Sequence, residues 1–137
     1  MESKLSASLE AIVAEFNADS GTIHLLEADG ILHLKAATAS IPEAVLERVR
    51  LVPIGKGMAG LAAQRKEPIT VCNLQTDTSG DVRPGARATG MEGALVVPVF
   101  RGEEVAGTLG IANRAARTFT AEEIARLVEL GRRLVAE

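Results

Sequence analysis

Apolar residues recur every three or four positions at both ends of the chain, which is the period of an amphipathic α-helix. At the start they predict a helix over residues 1–17, with its apolar side formed by Leu5, Leu9, Ile12, Val13 and Phe16. Near the end, Thr120 and Glu123 have the spacing of a capping box behind Phe119, which predicts a second helix over residues 119–137. Each terminal helix must bury one side.

Between these helices the pattern changes to short apolar runs bounded by glycine, as in a β-sheet. Asp29-Gly30 separates two such runs, and this pair suits the positive φ angles of a type I′ turn, so we predict a hairpin over residues 21–38. A two-residue turn would place His24 opposite Lys35, with His24 and His33 on one face. The other face would carry the core residues Ile23, Leu25, Leu32 and Leu34.

The central stretch, residues 51–71, predicts a strand, a sharp turn, a compact helix and a second strand. Two glycines that relax the backbone and one proline without an N–H donor mark the turn and the helix end: Gly55, Gly57 and Pro68. Upstream, Ser40 and Glu43 have the spacing of a capping box with Pro42 in the first turn, which predicts a short helix to about Val49.

A long polar segment without periodicity follows, over residues 73–91. A segment of this kind inside a compact domain is usually functional or disordered. Beyond it, two apolar runs over residues 93–100 and 105–112 flank a polar turn that contains Gly102, which predicts a second hairpin.

Composition limits the classes of function. A length of 137 residues predicts one domain, and a net charge of −3 offers no basic surface for nucleic acid. No apolar run approaches the roughly 20 residues that span a bilayer, and the first residues do not form a signal peptide, so we expect a cytoplasmic protein. The single cysteine, Cys72, cannot form an internal disulfide, and without Trp or Tyr the chain has few side chains to stack on planar cofactors.

The order of these elements resembles the GAF domain family. Five segments carry the resemblance, namely the turn into the central helix, the strand after it, the two later strands and the start of the last helix: residues 51–64, 67–74, 93–99, 105–113 and 119–123. The resemblance covers nearly the whole chain and implies one domain over residues 1–137, with the sheet and pocket over residues 20–117.

The implied fold is α+β and GAF/PAS-like, with a central antiparallel sheet of about five to six strands. Both terminal helices would cover one face of this sheet. The helix after Gly57 and the loop after Asn73 would close a small-molecule pocket on the other face.

GAF domains are mostly sensory or regulatory modules that bind small molecules and often dimerise through their terminal helices, so the resemblance implies a ligand, a homodimer and a signalling output protein. The fold does not identify the ligand, and the cofactor is unknown. The candidate ligand-binding residues lie on the central helix, in the long loop and on the strands at its two ends: Met58, Leu61, Cys72, Asn73, Thr76, Asp77, Arg83, Arg87, Thr89, Met91, Ala94 and Val96. Arg83 and Arg87 would suit a carboxylate or phosphate, and the alternative for the loop is a solvated surface segment.

Three other features have a structural and a functional interpretation. The pattern Gly55-x-Gly57-x-x-Gly60 lacks the βαβ unit of a dinucleotide site, so we expect it to serve the turn and its packing, or also to place a helix N-terminus against an anionic group. His24 and His33 are too few for a structural metal and are expected to be solvated or hydrogen-bonded. Cys72 is expected to be a small buried residue, with a redox thiol as the alternative.

The favoured function is therefore a non-enzymatic, ligand-binding sensory domain that transmits occupancy through its terminal helices, without nucleic-acid or membrane partners. One alternative is a thiol-dependent small-molecule reductase that uses Cys72, as in the free methionine sulfoxide reductases of the same family. Those enzymes use several cysteines in relay, whereas this chain has one. Another alternative is a ligand-free scaffold whose pocket is filled by its own side chains.

Overall fold

The computed structural model describes residues 2–72 and 91–136, and these form four helices and one six-stranded antiparallel sheet. The elements in chain order are α1 (Glu2–Glu15), β1 (Ser20–Leu26), β2 (Ile31–Ala37), α2 (Glu43–Val49), β3 (Leu51–Pro53), α3 (Gly57–Arg65), β4 (Ile69–Val71), β5 (Gly93–Arg101), β6 (Glu104–Asn113) and α4 (Ala121–Val135). The strand order is β3-β2-β1-β6-β5-β4, which confirms the predicted α+β fold.

The main core lies between one face of the sheet and the two terminal helices. Leu9 of α1 and Leu127 of α4 are fully buried there, against strand residues such as Ile23, Val97 and Leu109. The hydrophobic stripes of both helices are therefore used to cover this face, as the sequence pattern predicts.

The opposite face of the sheet carries two smaller apolar clusters built on α3. In one, Met58 and Ala62 pack with β4 residues Ile69 and Val71. In the other, Ala63 packs with Leu32 and Val52. Helix α3 therefore lies across the sheet on the side away from α1 and α4, where the resemblance implies a pocket.

The first hairpin turns through three residues, not two. Asp29 does not have a positive φ, so a type I′ turn does not form, and only Gly30 is left-handed, with φ 79°. The Gly30 N–H donates to the Glu27 oxygen at 2.9 Å, and the Glu27 N–H donates to the Ile31 oxygen at 3.1 Å. This is the geometry of a type I turn followed by a glycine bulge.

The longer turn shifts the strand register by one residue, and the prediction that the two histidines share a face is wrong. His24 lies opposite Leu34, and His33 lies opposite Leu25. Because side chains alternate along a strand, this places His24 and His33 on opposite faces. The predicted single core face is also divided, since Ile23 packs under α1 and α4 and Leu32 packs under α3.

The start of α4 lies where the local sequence signal predicts it. The start of α2 and the end of α3 do not coincide with their predicted signals. The Thr120 Oγ1 accepts the Glu123 N–H at 3.1 Å, and Glu123 Oε1 accepts the Thr120 N–H at 2.9 Å, which confirms the capping box of α4. The predicted Ser40 capping box is wrong, because Pro42 is the N-cap of α2 and Ser40 Oγ donates to the Asp19 oxygen instead. Helix α3 ends at Arg65 with the left-handed residue Lys66 as its C-cap, before Pro68 is reached.

Across the described ranges, 2–72 and 91–136, no helix combines the length and the hydropathy that a membrane crossing requires.

Candidate functional site

A cavity of about 390 Å³ lies between the sheet, α2 and the start of α3. Its floor is formed by β1, β5 and β6, and its walls include Val45 of α2 and Met58 of α3. The volume lies near the lower end of the range of about 300–1,000 Å³ for small-molecule sites. The structure therefore contains a concave space in the position that the resemblance implies.

Small residues keep the floor of this cavity open. Ala94 of β5 lies opposite Ala112 of β6, and Gly110 lies opposite Val96, and all four line the cavity. A Cβ atom on Gly110 would approach Val96 Cγ2 at 3.2 Å and Thr22 Oγ1 at 3.4 Å. Larger side chains at these positions would occupy the space.

The turn into α3 depends on glycines at three positions. Gly55 and Gly57 have φ angles of 89° and 64°, which favour glycine. A Cβ atom on Gly60 would collide with the carbonyl oxygen of Pro53, and the Gly55 N–H donates to the Gly60 oxygen at 2.9 Å. The predicted role of this motif in the turn and its packing is confirmed.

The N-terminus of α3 borders the cavity and has no side-chain cap. Lys56 is the N-cap residue, and its side chain forms no capping hydrogen bond with the first turn. Lys56, Gly57, Met58 and Ala59 all line the cavity. The first N–H groups of a helix lack partners within the helix and carry a partial positive charge.

His24 lies in the cavity wall and is 3% exposed. Its Nε2 lies 2.8 Å from the carbonyl oxygen of Val49, and because a carbonyl only accepts, Nε2 carries the proton. Burial lowers the pKa of His24, with a smaller opposing effect of the Val49 hydrogen bond, so the ring is neutral. Nδ1 is then an acceptor, and it is buried with no hydrogen-bond partner among the described residues.

Two basic side chains also line the cavity, Arg48 of α2 and Lys56. Both are exposed, and neither forms an ion pair with a described residue. None of the described lining residues is a carboxylate. The described lining residues therefore place two positive side chains and no negative one at the edge formed by α2 and α3.

The structure brings four of the predicted site residues together: Met58, Met91, Ala94 and Val96 line the cavity. Leu61 packs beside the cluster of Met58 but is not a lining residue. The six loop residues, Asn73, Thr76, Asp77, Arg83, Arg87 and Thr89, lie outside the described residues.

Cys72 does not lie where we predict it. It is exposed, just after β4, and it is not among the residues that line the cavity. Thr118 Oγ1 donates to its Sγ at 3.6 Å, and its carbonyl oxygen accepts the Arg117 N–H at 3.0 Å. The expectation of a small buried residue is wrong, because Cys72 lies just beyond the last residue of β4, Val71, and is exposed.

Lining residues on β1 and α2 were not among those predicted from the sequence. Ser20, Thr22 and His24 alternate along β1 and so share the face that forms the cavity floor. The alternation of these polar residues in the sequence indicates that they share one face of β1. It could have identified them as lining residues if the packing of the hairpin had been known. Arg48 has no comparable signal, because its position depends on how α2 packs.

The second histidine, His33, is not among the residues that line the cavity. His33 Nε2 lies 2.8 Å from Asp29 Oδ2 at the tip of the first hairpin. In the parts of the chain that the structure describes, no three or more His, Cys, Asp or Glu residues are grouped in a way that could hold a metal ion.

Comparison with known proteins identifies the family. The family model of the GAF domain matches residues 2–135, so the chain belongs to the GAF domain family. A comparison with curated protein sequences finds no match.

Solved structures of several proteins share the fold. The GAF domain of an Acinetobacter phosphoenolpyruvate-protein phosphotransferase has a TM-score of 0.79 and 24% identity, covering 97% of this chain and 78% of that one. A domain of a putative two-component sensor histidine kinase from Sinorhizobium meliloti has a TM-score of 0.76 and 21% identity, covering 98% and 88%.

Free methionine-R-sulfoxide reductase from Neisseria meningitidis, in complex with its substrate, has a TM-score of 0.77 and 18% identity, covering 95% of this chain and 72% of that one. At these identities the likeness is one of fold. GAF domains are generally sensory or regulatory modules, and the fold neighbours include both signalling proteins and enzymes.

Proposed function

We propose that this domain is a non-enzymatic sensor that binds a small organic molecule in the cavity under α3. The observation that carries the proposal is the open, mainly apolar cavity with a few convergent polar groups, the general form of a small-molecule site. Met58, Met91 and Val96 line this cavity without closing it. A ligand-free scaffold would have these side chains fill the space.

The sheet that forms the floor of the cavity also packs, on its other face, against the terminal helices. This arrangement provides a route by which ligand binding could affect those helices. Ile111 lines the cavity and belongs to the core under α1 and α4. Ligand binding that displaces β6 would therefore change the packing of both helices, and would shift the domain between two arrangements.

Arg117 couples these elements. Its Nη1 donates to the Phe16 oxygen at the end of α1 at 2.7 Å and to Asn113 Oδ1 at the end of β6 at 2.8 Å. Its Nη2 donates to Glu123 Oε2 in the first turn of α4 at 2.6 Å. We propose that α1 and α4 transmit occupancy to an output protein in the cytoplasm, in a homodimer formed through these helices.

An enzymatic function through Cys72 has less support. The fold neighbours that are free methionine-R-sulfoxide reductases make a reductase the natural second candidate. However, the only thiol of this chain is exposed and is not part of the cavity wall. Replacing it, as in Cys72→Ser, should leave ligand binding unchanged under our proposal and abolish turnover under the reductase alternative.

A thermal-shift screen of metabolites, together with native mass spectrometry of the purified protein, tests the proposal. A ligand that binds the folded state raises the melting temperature by mass action. The variant Ala112→Leu fills the cavity floor, whereas Ala106→Leu adds the same groups on β6 against the core of the helix face.

We expect at least one compound to stabilise the parent protein and Ala106→Leu but not Ala112→Leu. A screen in which nothing binds, or binding that Ala112→Leu leaves intact, would contradict the proposed function. If light scattering shows that the protein is a monomer, only the homodimer part of the proposed function would be contradicted.

A further inference from the structure

We propose that the cavity selects a small, mainly aliphatic organic acid that also carries one O–H or N–H donor. The acid group would meet the N-terminus of α3 beside Lys56 and Arg48, and the donor would meet Nδ1 of His24. This inference rests on the proposed function and deepens it, because it assigns the chemical class of the ligand.

His24 indicates the donor. Its Nε2–H is used by the Val49 carbonyl, which leaves the lone pair of Nδ1 as a buried acceptor without a described partner. A buried acceptor of this kind is unfavourable until a donor reaches it. A ligand hydroxyl or N–H satisfies it, and a ligand carbonyl or carboxylate does not.

The start of α3 indicates the acid. The helix has no side-chain cap, and its first residues, Gly57 and Met58, line the same cavity as His24. Free N–H groups and the helix dipole favour an anion at this place. Lys56 and Arg48 add two positive charges that no described carboxylate neutralises.

The rest of the wall indicates an aliphatic body of limited size. Aliphatic side chains from α2, β3 and β5 line it, including Val45, Val52 and Val96. None of the described lining residues is Phe, Tyr or Trp, so a large planar ring system would have few stacking partners there. A volume of about 390 Å³ fits a compact ligand and not a dinucleotide.

Three compounds of nearly equal shape test the need for the acid group and the need for the donor separately. 2-Hydroxy-4-methylpentanoate has the acid and the donor, 4-methyl-2-oxopentanoate keeps the acid without the donor, and the methyl ester of the hydroxy acid keeps the donor without the charge. Each would be added to the ¹⁵N-labelled protein at up to about 10 mM, at which even a millimolar Kd is detected. Amide shifts report binding, and long-range ¹H–¹⁵N spectra report the ring nitrogens of His24.

We expect the hydroxy acid to bind at least about tenfold more tightly than either analogue, the loss expected for one charge-assisted or buried hydrogen bond. The Nδ1 resonance of His24 should start at the position of an unprotonated nitrogen and move upfield with the hydroxy acid but not with the oxo acid. His33 in the same spectra is the internal control.

Variants then assign each contact. His24→Leu removes the Nδ1 acceptor and puts no other acceptor in its place, so the hydroxy and oxo acids should bind it equally. His24→Gln keeps an N–H for the Val49 carbonyl and has an amide oxygen as acceptor, so it is the matched variant that can still favour the hydroxy acid. Arg48→Gln with Lys56→Gln should bring the hydroxy acid to the affinity of its ester. Lys4→Gln, an exposed change on α1, should have no effect.

Equal binding of all three compounds, or a His24 signal that does not respond, would overturn the inference and leave the proposed function standing. Failure of all three to perturb residues of the cavity would overturn it as well. The proposed function itself would then be decided by the broader metabolite screen and its Ala112→Leu variant. If Nδ1 is bonded in the ligand-free protein, a bound water occupies the acceptor and the donor assignment is wrong.

Discussion

His24 Nε2 lies 2.8 Å from the carbonyl oxygen of Val49, and this hydrogen bond joins the interior strand β1 to the last residue of α2. This hydrogen bond affects both the stability of the fold and the binding properties of the cavity. The bond holds α2 over the cavity, and it determines which nitrogen of the ring keeps a free lone pair.

Removal of the donor from His24 should destabilise the protein. In His24→Leu the Val49 carbonyl loses its partner in a partly buried position, which costs about 1–3 kcal/mol of unfolding free energy. His24→Gln, which can still donate to that carbonyl, should lose less. Urea unfolding of the two variants compares them, and equal losses would show that the hydrogen bond does not hold α2.

Stability should also depend on pH through His24. Because burial lowers its pKa in the folded state, the unfolded chain takes up a proton first as the pH falls below its ordinary value of 6.5. The stabilising contribution is therefore complete above about 6.5 and is lost below it, with a slope of at most about 1.4 kcal/mol per pH unit.

Other charged groups with known pKa shifts should not obscure the effect of His24 on the pH dependence of stability. Arg48 and Lys56 are the charged groups that line the cavity with His24. Hydrogen bonds hold the pKa of Glu15, Asp29 and Glu123 below their usual values, so those carboxyls titrate at lower pH. His24→Gln should show a flatter profile between pH 5 and 7, given as approximate limits, and an unchanged slope would contradict the assignment.

Arg117 should be a major determinant of stability at the end of the sheet. Its guanidinium donates to Phe16, Asn113 and Glu123 and lies 4.5 Å from the centre of the Phe119 ring. Arg117→Met leaves those acceptors unpaired, and we expect a loss of about 2–3 kcal/mol in urea unfolding.

The matched control is Arg126→Met. Arg126 pairs with Glu15 across α1 and α4, but both side chains are exposed, and exposed ion pairs contribute little. Comparable losses of unfolding free energy for the two variants would mean that the partly buried acceptors around Arg117 find other partners.

Gly60→Ala should disrupt the turn before α3, because the new methyl group would meet the carbonyl oxygen of Pro53, a backbone atom that cannot move away. We expect a loss of at least about 2 kcal/mol of unfolding free energy. Gly131→Ala in α4 gains the same helix propensity, but its methyl group would meet Val99 Cγ2 at 3.2 Å, a side-chain atom that can shift. Circular dichroism during thermal unfolding should place the melting temperature of Gly60→Ala clearly below that of Gly131→Ala, and the reverse order would exclude the steric explanation.

The elements that could be predicted from sequence are those whose signals are local. The start of α4 is determined by the reciprocal bonds of Thr120 and Glu123, which are three residues apart, and it forms as predicted. The turn before α3 is determined by Gly55 and Gly57 in the same way. The order of the strands and the face on which each helix lies came from the family resemblance.

The register of the first hairpin could not be predicted, because Asp29-Gly30 fits both a two-residue turn and a three-residue turn with a left-handed glycine. The choice depends on how the strands pack on both sides, and a difference of one residue moves His33 of β2 to the other face relative to His24 of β1. The site was also only partly predicted. Met58, Met91, Ala94 and Val96 were found on their elements, whereas His24 and Arg48 reach the cavity through tertiary packing.

The central claim, that the cavity under α3 binds a small organic molecule, is tested most directly by mapping ligand-induced ¹⁵N–¹H shifts onto the protein and onto Ala112→Leu. With 2-hydroxy-4-methylpentanoate or any compound from the screen, we predict shifts centred on Thr22, His24, Met58 and Gly110 that saturate in the parent and vanish in the variant. Saturable shifts elsewhere, or shifts that persist in Ala112→Leu, would contradict the claim.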